Sequence, residues 1–234
     1  MEKEQILNRL NKSLIVSVQS SDQNPLCTKE HMVLLAECSA AAGCTNFRVD
    51  TPEHVEAIKK AIPEALIIGI WKADYPDSNV FITPTMKEVE ALVACGVDII
   101  ALDGTHGLNP AGETTYKLIK EIKERYPNVV LMADVATVAD AMESQKAGAD
   151  IVSTTLRGYT ADTKEFLTQD CDMDFIKELR RSISCFIIAE GKIWTREDAA
   201  EALESGADAV VVGTAINNPK LITERFLTAI NGIT

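Results

Sequence analysis

Four short segments of this chain repeat one pattern: Ala42-Gly-Cys-Thr45, Cys95-Gly-Val-Asp98, Ala147-Gly-Ala-Asp150 and Ser205-Gly-Ala-Asp208. Each closes an amphipathic stretch and leads into an apolar one. Their glycines, Gly43, Gly96, Gly148 and Gly206, lie 53, 52 and 58 residues apart. Glycine is the expected left-handed stop of a helix, a conformation that a side chain makes costly. Each interval has room for two strand–helix units, so four intervals imply eight.

The apolar segments agree. Strands are expected at Leu14–Gln19, Thr45–Arg48, Leu66–Trp71, Ile99–Asp103, Val129–Asp134, Ile151–Thr154, Phe186–Glu190 and Ala209–Gly213. They are short and rich in Ile and Val, with few alternating polar positions, as strands buried on both faces should be. Between them, Thr85–Ala94, Thr114–Tyr126, Val138–Ala147 and Thr195–Ser205 read as helices. Several begin with a threonine followed by acidic residues, which suits an N-cap and the helix dipole. The expectation is an α/β fold, a single (β/α)8 TIM-barrel domain over residues 1–234, with a short extra helix near Glu2–Lys12. An open doubly wound sheet is the alternative.

Charge narrows the function. A net charge of −12 repels nucleic-acid backbones and anionic membrane surfaces, so neither is an expected partner. No apolar run approaches the roughly 18 residues of a membrane span, and the charged Met1-Glu-Lys-Glu-Gln5 start is unlike a secretory signal. The six cysteines include no C-x-x-C pair and read as reduced cytoplasmic thiols. His31, His54 and His106 show no ligand spacing, so no metal is expected. His31 and His54 read as helix residues, His106 as a loop residue, Trp71 as packing, and Arg180-Arg181 as a solvated helix face.

In such barrels chemistry sits at the C-terminal ends of the strands. Here those ends carry Gln19, Arg48, Lys72, Asp103, Asp134, Thr154, Thr155, Glu190 and the Gly213-Thr214 turn. Charged groups in so enclosed a place are costly unless they pair or bind something. A self-satisfied ring of ion pairs is the bland reading; a ligand site is the sharper one. Lys72 follows strand three and Glu190 ends strand seven, so they face each other across the mouth. Epimerisation needs a proton-transferring group on each face of one carbon. A lysine serves as base only when its ammonium yields a proton, and burial with Arg48 nearby is the expected help. The Glu190-Gly191-Lys192 and Val212-Gly213-Thr214 turns stand where barrels commonly hold phosphate on backbone N–H groups.

These residues carry a resemblance. Ser13-Leu-Ile-Val-Ser-Val-Gln19, Ile68-Gly-Ile-Trp-Lys-Ala-Asp-Tyr75, Phe81-Ile-Thr-Pro-Thr85, Ile100-Ala-Leu-Asp103, Met132-Ala-Asp134, Ser153-Thr-Thr-Leu-Arg-Gly-Tyr-Thr160 and Ile188-Ala-Glu-Gly-Lys-Ile193 resemble the N-acetylmannosamine-6-phosphate 2-epimerases, in order, from residue 13 to Phe226. The resemblance implies interconversion of N-acetylmannosamine 6-phosphate and N-acetylglucosamine 6-phosphate in sialic acid breakdown, with no cofactor. It implies Lys72 and Glu190 as the catalytic acid/base pair. Gln19, Arg48 and Asp134, with Thr155, Arg157 and Tyr159 of the T-T-L-R-G-Y loop, become sugar-site residues. Gly191, Lys192, Gly213 and Thr214 become the phosphate site.

The chain departs from the family pattern in four places. Asn218 of Ala215-Ile-Asn-Asn-Pro219 stands where the resemblance expects an arginine, and Gly104-Thr-His-Gly-Leu-Asn-Pro110 replaces a basic stretch. Trp71 and Val49-Asp50 replace smaller residues. Arg157 and Lys192 are the expected compensating cations. A Schiff-base aldolase using Lys72 and a non-catalytic sugar-phosphate-binding relative are the alternatives, and a homodimer suits a barrel of this size.

Overall fold

Strands that bury both faces need a layer on each side, and a closed sheet ringed by helices supplies both. The computed structural model, which describes residues 1–19, 24–167 and 170–232, has that arrangement. Strands β1 (Leu14–Val18), β2 (Asn46–Asp50), β3 (Leu66–Ile70), β4 (Ile99–Asp103), β5 (Val130–Asp134), β6 (Ile151–Ser153), β7 (Phe186–Glu190) and β8 (Ala209–Val212) close in sequence order. Every neighbouring pair is parallel, and β8 pairs with β1 through Leu14 opposite Val210. The open doubly wound alternative is thereby excluded.

Ten α-helices are described: α1 (Lys3–Leu10), α2 (Lys29–Ala41), α3 (Pro52–Ala61), α4 (Met86–Ala94), α5 (Thr115–Arg125), α6 (Val138–Ala147), α7 (Met173–Ser182), α8 (Arg196–Glu204), α9 (Thr214–Asn217) and α10 (Pro219–Asn231). The threonine starts behave as expected. Thr85, Thr137 and Thr195 form reciprocal capping boxes with Glu88, Asp140 and Asp198, each cap worth about 1 kcal/mol. The repeat glycines stop α2, α4, α6 and α8 with φ from +73° to +116°.

Residues alternate between two cores. Leu66, Ile68 and Ile70 fill the barrel interior with Ile15, Ile99, Met132 and Ile188, and Ile6 and Leu10 of α1 join that cluster. Their neighbours, such as Phe47, Val49 and Ile67, pack outward beneath the helices. Each fully buried side chain of this kind contributes about 1.5–3 kcal/mol.

Beyond β3, Phe81 and Ile82 line the mouth, where Ile82 bridges Lys72 and accepts from Asp103 N–H at 3.0 Å. Two local expectations change. β2 runs two residues further than expected, because Asp50 still pairs with Ile70. Arg180 is no freely solvated side chain, since it donates to the Gly206 carbonyl at 2.8 Å and ion-pairs with Asp208.

Candidate active site

Strand ends converge on one mouth, and there the structure holds a cavity of about 550 Å³. Gln19, Arg48, Lys72, Thr155, Tyr159 and Glu190 line it, together with Gly191, Lys192, Gly213 and Thr214. Two expected residues do not. Asp134 lies directly behind Arg48, and Arg157 lines a small adjoining pocket beside Thr155, Glu190 and Lys192.

The floor is a buried charge network. Arg48, 1% exposed, grips fully buried Asp134 through two bonds, Nη1–Oδ1 at 3.0 Å and Nη2–Oδ2 at 2.6 Å. The same Nη1 reaches Glu190 Oε2 at 2.5 Å. Thr155 Oγ1 accepts from Arg48 at 3.1 Å and donates to Asp134 at 2.7 Å. Burial opposes the charge of Arg48, but the two carboxylates outweigh it and hold the guanidinium more firmly protonated than usual. At Glu190 burial dominates and pushes the carboxyl up from its ordinary value, with Arg48 pulling the other way. Such a group retains a proton at a pH where a free glutamate has lost it. Thr154 Oγ1 fixes the Glu190 backbone, donating to its carbonyl and accepting from its N–H, both at 2.9 Å.

On the opposite wall, Lys72 Nζ donates to Gln19 Oε1 at 2.7 Å and lies 3.5 Å from Asp50 Oδ2. Its backbone N–H donates to Asp50 Oδ1 at 3.0 Å. Neither expected help reaches Lys72: its side chain is 44% exposed, and Arg48 is bonded to Asp134 and Glu190 instead. Asp50 went unrecognised as a site residue. The available signal was period two: Arg48 and Asp50 lie on one face of β2, which puts both toward the mouth.

At the β7–β8 side, Gly191 has φ +108° and Lys192 follows with φ +58°. Gly213 must be small, because an added Cβ would stand 3.1 Å from Ser17 Cβ. Lys192 Nζ donates to the Phe166 carbonyl at 3.3 Å and lies 5.5 Å from the Tyr159 ring centre. Burial lowers its pKa from the ordinary lysine value. Asn218 lines the cavity, yet its carbonyl oxygen caps α10 by accepting from Leu221 N–H at 3.1 Å.

Arg157 corrects the expectation of a compensating mouth cation. Its guanidinium pairs with Asp172 at 3.0 Å, donates to the Ala136 carbonyl at 3.2 Å, and stacks 3.5 Å from the Phe166 ring centre. Those partners hold it outside the cavity. Trp71 packs against the outer core, and exposed His106 sits 3.3 Å from Asp140. Asp103 is buried with Oδ1 accepting from Thr105 N–H and Oγ1, and burial raises its pKa to about 6. Among the described residues no cluster of His, Cys, Asp and Glu is arranged to hold a metal ion.

Known proteins resemble this chain in sequence and fold. The family described as "Putative N-acetylmannosamine-6-phosphate epimerase" matches residues 32–232. Curated relatives named "Putative N-acetylmannosamine-6-phosphate 2-epimerase" include one from Caldanaerobacter subterraneus subsp. tengcongensis, 42% identical over 96% of this chain and 94% of its own. Another, from Enterobacter sp. (strain 638), is 42% identical over 96% and 95%. Among solved structures, the N-acetylmannosamine-6-phosphate 2-epimerase from Clostridium perfringens superposes with a TM-score of 0.90 at 36% identity, covering 96% of each chain. Thiamine phosphate pyrophosphorylase from Pyrococcus furiosus, at 18% identity and a TM-score of 0.61, shares the fold alone. With most of its length matched by the family and relatives above 40% identical, this chain belongs to the N-acetylmannosamine-6-phosphate epimerase family.

Proposed function

We propose that the chain, working as one barrel domain over residues 1–234, inverts C2 of N-acetylmannosamine 6-phosphate to give N-acetylglucosamine 6-phosphate. The observation that carries the reading is the placement of Lys72 after β3 and Glu190 on β7, opposite walls of one cavity. A C2 proton is acidic only beside a carbonyl, so the sugar ring opens first to place an aldehyde at C1. Lys72 removes the C2 proton, electrons move into the C1 carbonyl, and a proton returns from the other face. Glu190, whose carboxyl is held toward its protonated form, is the proton donor on that face. Gln19 orients the Lys72 amine, while Arg48 holds the Glu190 carboxyl on its side of the sugar. Thr155 and Tyr159 bound the sugar, and the Gly191-Lys192 and Gly213-Thr214 turns hold the phosphate.

Turnover in heavy water tests this reading. The gluco epimer should form with deuterium at C2, seen by proton NMR, and Lys72→Ala should abolish both events. Absence of both product and exchange with wild-type protein would overturn the substrate assignment.

The quaternary proposal is a homodimer. No residue of α10 is buried, and Phe226, Leu227 and Ile230 stand 67%, 51% and 62% exposed along it. Apolar surface of that kind is commonly covered by a partner. Light scattering should give twice the chain mass, and Phe226→Glu with Ile230→Glu should give the monomer; a monomeric wild type refutes it. Six unpaired cysteines suit a cytoplasmic protein.

A further inference from the structure

This inference rests on the phosphosugar reading and concerns the charge that meets the phosphate. Arg48 and Lys72 line the cavity, but Asp134, Glu190 and Asp50 are their immediate partners. Lys192 is the remaining lining cation, and a backbone carbonyl holds its ammonium on the Tyr159 side. With the Glu190 carboxyl held toward its protonated form, Asp134 and Asp50 offset two of the three lining cations, within a chain of net charge −12. A sugar phosphate carries close to two negative charges at neutral pH. Backbone N–H groups at the glycine turns give it direction, Lys192 supplies one cation, and a second would add to the attraction.

Arg225 of α10 stands against one wall of the cavity, outside the lining itself. Its guanidinium carbon lies 4.4 Å from the Trp194 ring centre, and Trp194 is a wall of the cavity beside Gly191 and Lys192. Leu221, one helical turn before Arg225 and on the same face of α10, is also a wall. Among the described residues Arg225 makes no ion pair; Asp198 feels its charge without contact. The Trp194 face holds the planar group against that wall, and no hydrogen bond among the described residues occupies its N–H edge. The apolar Phe226 and Ile230 occupy the other side of the helix, so one helix presents an anion-facing side and an outward side.

We infer that Arg225, held on Trp194, is a substrate-specificity residue that recruits and binds the phosphate of the sugar. Replacing it with Arg225→Gln should raise KM for N-acetylmannosamine 6-phosphate by roughly tenfold, the worth of one charge-assisted contact, with kcat within about twofold. Arg225→Lys should recover part of the loss. Lys220→Gln, which removes an equal charge from the same helix away from the cavity, should leave KM unchanged. Calorimetric titration with inorganic phosphate reads binding without turnover, and Arg225→Gln should weaken it in parallel. If KM and phosphate affinity both survive Arg225→Gln, the inference falls while the epimerase reading stands. If the wild type does not turn over the phosphosugar, the epimerase reading falls, and the phosphate titration alone decides Arg225: weakened binding sustains it and equal binding overturns it.

Discussion

Asp50 reaches Lys72 at both ends, accepting from its backbone N–H at 3.0 Å and lying 3.5 Å from its ammonium. The carboxylate thus fixes the start of the segment after β3 and the aim of its amine together. Asp50→Ala should lower kcat by about 10-fold or more while KM changes little, the signature of misplaced chemistry rather than lost binding. Asp50→Asn keeps an acceptor for the backbone N–H and should restore part of kcat. Steady-state kinetics of the two variants decides; equal kcat in wild type and Asp50→Ala would refute the role.

Glu190 and Arg48 yield a pH prediction. Burial raises the Glu190 pKa, so its acid form survives to higher pH than in a free glutamate. A step in which Glu190 donates its proton slows as pH rises through that elevated pKa. The rate profile should therefore carry a descending limb that Glu190→Gln removes, together with a loss of about 100-fold or more in kcat. A wild-type limb that persists in Glu190→Gln would assign it to another group.

Asp103 makes a stability prediction of definite sign. Its pKa in the folded chain is about 6 against an ordinary 3.8. The folded state then holds a proton that the unfolded chain releases, so stability is lost as pH rises from about 4 to about 6, by about 3 kcal/mol in all. Asp103→Asn keeps an oxygen for Thr105 and removes the buried charge. Relative to wild type, it should gain stability in urea unfolding at pH 7.5 compared with pH 4; an unchanged difference at the two values would contradict this.

Arg157, tied to Asp172 and stacked on Phe166 and Phe175, should matter to stability. Arg157→Ala breaks a half-buried ion pair and two ring contacts, an expected loss of about 2 kcal/mol. Its KM for the phosphosugar should move far less than that of Arg225→Gln. A large KM effect without loss of stability would return Arg157 to the sugar site.

The eightfold alternation was legible in the chain because its signals are local. A glycine stop, a threonine cap and an Ile/Val run each act within a few residues, and their repetition leaves little choice of fold. The polar strand ends were legible for the same reason, since β-strand ends in a parallel barrel come to one rim. What no local signal encodes is which charges meet. Arg48 finds Asp134 86 residues away and Glu190 142 residues away, and those two contacts leave Asp50 as the ionic partner of Lys72. Arg157 lies two residues from Thr155, which lines the cavity, but it stays in the adjoining pocket because Asp172 and Phe166 offer a pair and a ring together. Asn218 likewise gives its oxygen to the start of α10. The barrel, its polar rim and the opposed Lys72 and Glu190 follow from local signals in the chain. Which cations already have carboxylate partners depends on barrel closure, because pairing is a sum over neighbours that the closed fold alone brings together.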